Sequence, residues 1–318
     1  MQNTGRVLST IKNIYFVDSD KVEYECRIKG KILNISSDEK KSCIQENPPV
    51  CVGDLVNFTI IDENRKQGMI TERIERSTVI QRLKQKGRVR QSIIANVEKI
   101  LIMMSVCQPS LDLLFLDKCL IMADKNRIEP VIIINKIDLP HDKKKLSDYI
   151  SKYRKLNYKV LKTSVLKKKK IRLLKNLTRN KICSLHGPSG TGKSSLIKLL
   201  IPDMEIKIGD VSDRLRRGRH TTTFSYLYKL PFKGYLADTP GIAEIALDID
   251  NNEFLDNYFR DLFSFKHKCF FKNCRHINEK DCEILKQVKT GNIDNDRYNN
   301  YLTIYKMIEK YQPVYKTG

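Results

Sequence analysis

The sequence predicts a multidomain protein: a small β-barrel first, a central α/β phosphate-loop domain, and a helical domain built on a cysteine–histidine cluster last. Three observations point there. Short period-2 runs separated by tight turns fill the first eighty residues. From about Val97, apolar strand-like runs alternate with helical spacing, and one run opens into Gly187-Pro188-Ser189-Gly190-Thr191-Gly192-Lys193-Ser194. Near the C-terminus, Cys269, Cys274, His276 and Cys282 fall within fourteen residues.

Length and composition set the limits. A chain of 318 residues has room for two or three domains that each bury a core, and 41% hydrophobic with 30% charged residues is the composition of a folded protein. No apolar stretch approaches the roughly 18–20 residues of a membrane span. The Met1-Gln2-Asn3-Thr4 start carries neither an apolar core nor a cleavage site, so a cytoplasmic protein without signal peptide is expected. The net charge is +22, from 59 Lys plus Arg against 37 Asp plus Glu. That field favours polyanions, nucleic acid first and an anionic membrane surface second; the alternative is a habit of a chain rich in Lys, Ile and Asn. Nine cysteines, an odd number, argue against a disulfide framework.

The barrel rests on alternation. Val22, Tyr24, Cys26, Ile28, Gly30 and Ile32 alternate with Glu23, Glu25, Arg27, Lys29 and Lys31, and Gly30 suits a bulge or sharp bend. Val56, Phe58 and Ile60 repeat the pattern after the Val52-Gly53-Asp54 turn, and Ile70 to Ile74 adds a strand. An OB-fold fits this length; periodicity alone leaves an SH3-like barrel open. Arg82, Lys84, Lys86, Arg88 and Arg90 then form a basic strip, either a solvated linker or a flexible contact for phosphates. The expected domains are residues 1–84, 85–248 and 249–318.

In the middle domain Ile100 to Val106 and Val131 to Ile134 read as buried strands, Leu111 to Asp124 as a helix, and Ile182 to Leu185 as the strand entering the phosphate loop. Leu166 to Lys181 reads as a basic amphipathic helix with Ile171, Leu174 and Leu177 on one side. The tail reads as helical, with one apolar face from Phe254 to Phe263 and another from Tyr298 to Ile308.

The order of motifs is unusual. Asn135-Lys136-Ile137-Asp138 matches the guanine-selecting N-K-x-D element, and it stands about fifty residues before the phosphate loop. Gly218-Arg219-His220-Thr221-Thr222-Thr223 and Asp238-Thr239-Pro240-Gly241 follow. An unpermuted GTPase places N-K-x-D last, so these motifs describe a circularly permuted P-loop GTPase domain.

Each motif has a chemical reason. Glycines at 187, 190 and 192 let backbone N–H groups wrap phosphates without a Cβ clash, with Pro188, Ser189, Thr191 and Ser195 completing the loop. Lys193 would reach the β- and γ-phosphates and the Ser194 hydroxyl would bind Mg²⁺. Asp238 would hold the same ion through water, Thr221 or Thr222 would fill its remaining position, and the Gly241 N–H would meet the γ-phosphate. Asp138 can accept from both N1–H and the exocyclic amine of guanine, a donor pair adenine lacks. Asn135, Lys136 and Ile137 build that pocket, and Thr163-Ser164-Val165 stands where a second guanine-contacting loop should follow. Ile242 occupies the place of a water-orienting Gln, so slow unassisted hydrolysis is expected, with His220 as the local catalytic candidate.

Three thiolates and one imidazole at Cys269, Cys274, His276 and Cys282 form the ligand set of one structural, four-coordinate Zn²⁺ site. His267 is a nearby spare. Lys266, Lys268, Lys272 and Arg275 surround the cluster, a decoration that suits RNA contact.

A β-barrel, a permuted GTPase and a zinc knuckle in this order closely resemble the RsgA (YjeQ/YloQ) family of bacterial GTPases in small ribosomal subunit assembly. The resemblance covers essentially the whole chain. Its carriers are the N-K-x-D element at 135–138, the phosphate loop from Gly187 to Ser195, the 218–223 and 238–241 motifs and the four zinc ligands. It implies an OB-fold barrel and a C-terminal helical zinc-binding domain that dock onto 16S rRNA of a nearly mature 30S particle. It also implies a monomer that binds with GTP, is stimulated by the ribosome and is released after hydrolysis to GDP, with a switch-loop His at 220 important for turnover. Thr191, Val165 and the Glu279-Lys280-Asp281 spacer depart from the family pattern, and none removes a ligand or phosphate contact. The competing readings are a GTP-gated RNA-binding adaptor with little turnover, a large-subunit factor, and a membrane-surface GTPase, the last without any lipidation signal. The permutation places the segment after Gly241 just before the zinc domain, so nucleotide state is expected to move that domain more than the barrel.

Overall fold

The structure, a computed structural model, describes residues 2–28, 45–46, 48–84, 89–202, 226–238 and 254–311. The first six strands are β1 (Gln2–Ile11), β2 (Ile14–Ser19), β3 (Val22–Ile28), β4 (Gln45–Glu46), β5 (Leu55–Asp62) and β6 (Gln67–Arg73). β1, β2, β3, β6 and β5 are successive neighbours, and β5 pairs back onto β1 from Gln2↔Thr59 to Arg6↔Leu55, which closes the barrel. β3 and β6 run parallel while the other four pairings are antiparallel, the order of an OB-fold, and this decides the choice that alternation left open. The alternating residues fill the barrel: Val17, Tyr24, Cys26, Val56, Phe58 and Ile70 are all buried. Gly30, Cys43, Lys86 and Arg88 lie outside the described residues, as do the side chains of Arg82, Lys84 and Arg90.

A hairpin of β7 (Val79–Lys84) and β8 (Val89–Ala95) follows and spans residue 84, with β4 alongside β8. The GTPase-like sheet comprises β9 (Lys99–Ser105), β10 (Glu129–Asn135), β11 (Lys159–Lys162), β12 (Ile182–His186), β13 (Tyr226–Lys229) and β14 (Tyr235–Asp238). Its spatial order is β11-β10-β9-β12-β14-β13, parallel except for β13. β9 therefore lies between the strand that ends in Asn135 and the strand that enters the phosphate loop. Its burial on both faces explains its continuous apolar run.

Crossovers are helical. α1 (Leu113–Lys125) starts at Asp112, whose side chain accepts from Phe115 N at 2.9 Å, and α2 (Lys143–Lys155) starts at Asp142 in the same way. α3 is shorter than the basic run suggested, Ile171–Thr178, because residues 163–170 form a tight loop bridged by Ser164 and Lys169. α4 (Lys193–Leu200) opens directly from the phosphate loop.

The barrel joins this sheet at its edge, where β1 pairs with β13 through Ser9 and Tyr226. Asp18 of the barrel also accepts from Lys229 Nζ and from Tyr235 Oη. The C-terminal unit is a 3-10 turn (Leu255–Tyr258), α5 (Arg260–Lys266), α6 (Glu283–Lys289) and α7 (Asn295–Tyr311). α1 is buried on two sides: Leu116 and Leu120 pack on the sheet, and Ile121 joins the C-terminal core of Phe259, Leu262, Tyr301 and Ile304. No described helix is long and apolar enough to cross a membrane.

Candidate nucleotide site and metal centre

The phosphate-loop sequence wraps tightly between β12 and α4. A Cβ on Gly187 would lie 2.2 Å from the Met103 carbonyl oxygen, and one on Gly192 (φ +102°) would lie 2.6 Å from Asn135 Nδ2. Only glycine permits both approaches. Thr191 Oγ1 donates to the Pro188 carbonyl at 2.9 Å, while Lys193 Nζ donates to the carbonyls of Gly187 at 2.6 Å and Pro188 at 2.9 Å. The lysine thus arches over its own loop. Ser189, Gly190, Ser194 and Ser195 are exposed at its mouth.

Asp238 ends β14, in register with Leu185 of β12, two residues before Gly187. Burial raises the Asp238 carboxyl and lowers the Lys193 ammonium, and each charge opposes the shift of the other. One carboxylate and one ammonium therefore share a partly dry mouth. His220, Thr221, Thr222 and Gly241 lie outside the described residues, as do Thr223 and Ile242.

Asn135 draws the permuted parts together. Its side chain is buried; Oδ1 accepts from Thr163 Oγ1 at 3.2 Å and Val165 N at 3.0 Å, and Nδ2 donates to the Thr191 carbonyl at 3.0 Å. Lys136 takes a left-handed backbone (φ 62°) and its ammonium donates to the Gln108 carbonyl. Ile137 N donates to the Thr163 carbonyl at 3.3 Å. Asp138 is half-buried beside them, and the Ser164 hydroxyl holds its carboxyl below the usual range, helped by Lys167 and Lys169. Ser164 is itself buried, and its loop is closed by Lys169 N donating to Ser164 O at 2.9 Å. The arrangement presents a carboxylate acceptor at one end and a tight glycine-rich loop at the other.

Sequence reasoning missed Gln108, which lies 28 residues from Lys136 and has no motif of its own. It also missed His186 at the root of the loop, where burial, then Lys193, pushes the imidazole down to about 3 and keeps it neutral against Ser184 Oγ at 2.8 Å.

The four expected metal ligands meet as a group, their ligand atoms all within 4.8 Å of one another. His276 Nδ1 lies 3.6 Å from Cys269 Sγ and 3.4 Å from Cys282 Sγ, and the two sulfurs are 3.9 Å apart. A tetrahedron built on ordinary zinc–sulfur and zinc–nitrogen lengths has edges of about 3.6 and 3.8 Å, so the donor set fits the ion. Burial pushes the Cys274 thiol up to about 12 and raises that of Cys282, so ionisation of this cluster calls for a cation inside it. His267 stands exposed and outside the cluster. The divergent spacer is braced by Glu279, whose carboxylate accepts from the backbone N–H groups of Arg275 (2.6 Å), Ile277 (2.7 Å) and Asn278 (3.1 Å).

This fold and these motifs define a class, the circularly permuted P-loop GTPases carrying an OB barrel and a Cys₃His helical domain. Comparison with known proteins narrows it. The family model described as RsgA GTPase matches residues 73–248. A small ribosomal subunit biogenesis GTPase RsgA from Caldanaerobacter subterraneus is 35% identical over 306 residues, covering 96% of each chain. A protein of the same name from Borrelia recurrentis is 35% identical over 312 residues, covering 98% of this chain and 96% of its own. The crystal structure of YjeQ from Thermotoga maritima superposes with a TM-score of 0.72 at 30% identity, covering 97% of this chain and 99% of that one. YloQ, a circularly permuted GTPase, gives 0.71 at 27% identity, covering 99% and 98%. The chain belongs to the RsgA GTPase family, whose members are GTP hydrolases.

Proposed function

We propose that this protein is a GTP-driven assembly factor of the small ribosomal subunit, binding 16S rRNA of the 30S particle with GTP and leaving it after hydrolysis. The observation that carries this reading is the Asn135 junction, which unites the guanine-selecting and phosphate-binding segments of a chain that matches whole-length relatives named for small-subunit biogenesis. A net charge of +22 supports a polyanionic partner.

In this reading Asp138 accepts from the guanine edge, with Asn135, Lys136 and Ile137 and the Thr163–Val165 loop shaping the pocket. Residues Gly187 to Ser195 take the phosphates; Lys193 leaves its own carbonyls for the β- and γ-oxygens. Ser194 and Asp238 would hold Mg²⁺ with Thr221 or Thr222, and a bound ion would supply positive charge to the phosphate oxygens. Gly241 donates its N–H to the γ-phosphate and His220 assists the attacking water. Cys269, Cys274, His276 and Cys282 would hold Zn²⁺ with no position left open, a structural role. The protein acts as a cytoplasmic monomer.

Single-turnover GTP hydrolysis with and without purified 30S subunits tests this. Stimulation by 30S but not 50S particles, with tighter binding in a GTP-analogue state than in GDP, is the expected result. Nucleotide-independent 30S binding without stimulation would replace it with a passive RNA-binding adaptor.

A further inference from the structure

We propose that Asp256 is the outer carboxylate of the metal centre, a positioning residue that sets His276 as an Nδ1 ligand and ties the ligand loop to the 3-10 turn at Leu255–Tyr258. The proposal rests on reading the Cys₃His cluster as a metal site. Asp256 belongs to no motif; it lies 20 residues from His276, on the 3-10 turn that begins the described C-terminal unit.

Four observations converge on it. Asp256 is 4% exposed, and its Oδ2 lies 3.1 Å from His276 Nε2, itself in a residue 1% exposed. The other ring nitrogen, Nδ1, is the one that faces the sulfurs of Cys269 and Cys282. Lys266 Nζ, 3.1 Å from the same Oδ2, supplies a countercharge for the carboxylate. Its second oxygen, Oδ1, is buried without a hydrogen-bond partner among the described residues. A carboxylate kept only to brace a turn would spend both oxygens on backbone N–H groups, as Glu279 does nearby.

The chemistry follows from the two ring nitrogens. A proton on Nε2 donates to Asp256 and leaves the Nδ1 lone pair aimed at the point between the sulfurs. The other tautomer would turn a lone pair on the carboxylate, a repulsion in a dry site, and would leave Nδ1 carrying a proton that can hydrogen-bond a thiolate but cannot bind a metal. A carboxylate behind the imidazole also strengthens it as a donor to the metal. The residue is held in place: its backbone carbonyl accepts from Tyr298 Oη at 2.7 Å, and its ring centroid lies 6.2 Å from that of the tilted Tyr301 ring.

The test uses full-length protein in wild-type, Asp256→Asn and Asp256→Ala forms. Zn²⁺ affinity is read by competition with a chromogenic chelator, Co²⁺ spectra report the ligand set, and long-range ¹H–¹⁵N spectra of histidine-labelled, zinc-loaded protein report the His276 tautomer. Wild type should show three-thiolate Co²⁺ spectra and an Nδ1-bound, Nε2-protonated His276. Asp256→Ala should lose about 10–100-fold in Zn²⁺ affinity, and Asp256→Asn, which keeps an acceptor but no charge, should fall between. An Nε2-bound His276, or Asp256→Asn binding Zn²⁺ as tightly as wild type, overturns the proposal, and the Asn variant decides even if the Ala variant does not fold. Wild type without thiolate-type Co²⁺ spectra would instead sink the metal site itself.

Discussion

Asn135 Nδ2 donates to the Thr191 carbonyl at 3.0 Å, across 56 residues of chain. That bond joins the N-K-x-D element to the glycine-rich loop, and the same side chain holds Thr163 and Val165 through its oxygen. The segments are far apart along the chain, and β9, paired with both β10 and β12, brings them together. Asn135→Ala removes a buried group with partners on both other segments, each left unsatisfied at a cost of about 1–3 kcal/mol. GTP affinity should fall at least about tenfold, equivalent to ~1.4 kcal/mol. Calorimetric titration with GTP checks it; unchanged affinity would mean that the junction does not organise the pocket.

Asp138 should be read through its base. Asp138→Asn should weaken GTP severely and favour xanthosine triphosphate, whose C2 oxygen needs a donor. The Ser164 hydroxyl holds the Asp138 carboxyl below the usual range, so the ionised acceptor survives as pH falls through the ordinary aspartate value of about 3.9. Ser164→Ala removes that support and should shift the acid loss of GTP binding to higher pH. Equal binding of ATP and GTP by the unaltered protein would end the guanine assignment.

Arg297 should lock the C-terminal unit onto α1. Its guanidinium is buried; it donates to both oxygens of Asp261 at 2.7 and 2.9 Å and also reaches Asp117, which accepts from Asn300 at 2.7 Å. Arg297→Ala strands two buried carboxylates and should cost about 3–5 kcal/mol. Urea denaturation should show the C-terminal helices releasing earlier, while nucleotide affinity changes little. A single unshifted transition would contradict this.

Metal removal should act locally. One Zn²⁺ per chain is expected by elemental analysis, and Cys274→Ala or chelation should expose the C-terminal unit to protease. The phosphate loop shares no side chain with the cluster, so GTP affinity should persist. Purified, reduced protein without zinc would remove the basis for this expectation.

His220 should matter for chemistry rather than binding. His220→Ala is expected to keep GTP and 30S binding yet lose most of the stimulated single-turnover rate, as for a residue that acts on the transition state. Hydrolysis at the wild-type rate while bound would pass the role to the ribosome or another residue.

Local chemistry made much of this molecule legible from sequence. Alternation at Val22–Ile28 marked a half-buried strand because successive side chains point to opposite faces, and glycines at 187 and 192 marked a loop that backbone must cross closely. Ligand spacing announced the cluster of Cys269, Cys274, His276 and Cys282, since four donors so close in sequence need little long-range structure to meet. Contacts between distant segments had no such signature. The parallel pairing of β3 with β6, which separates an OB barrel from its alternatives, is a property of topology. Asp256, the Gln108 carbonyl and the Asp117–Arg297–Asp261 array carry no motif: the buried side chains reveal their partners only once tertiary packing has excluded water, and a backbone carbonyl has no side-chain identity to read. The sequence alone determined the chemical parts and their local geometry; the tertiary structure decided which parts touch, because burial chooses the pairs.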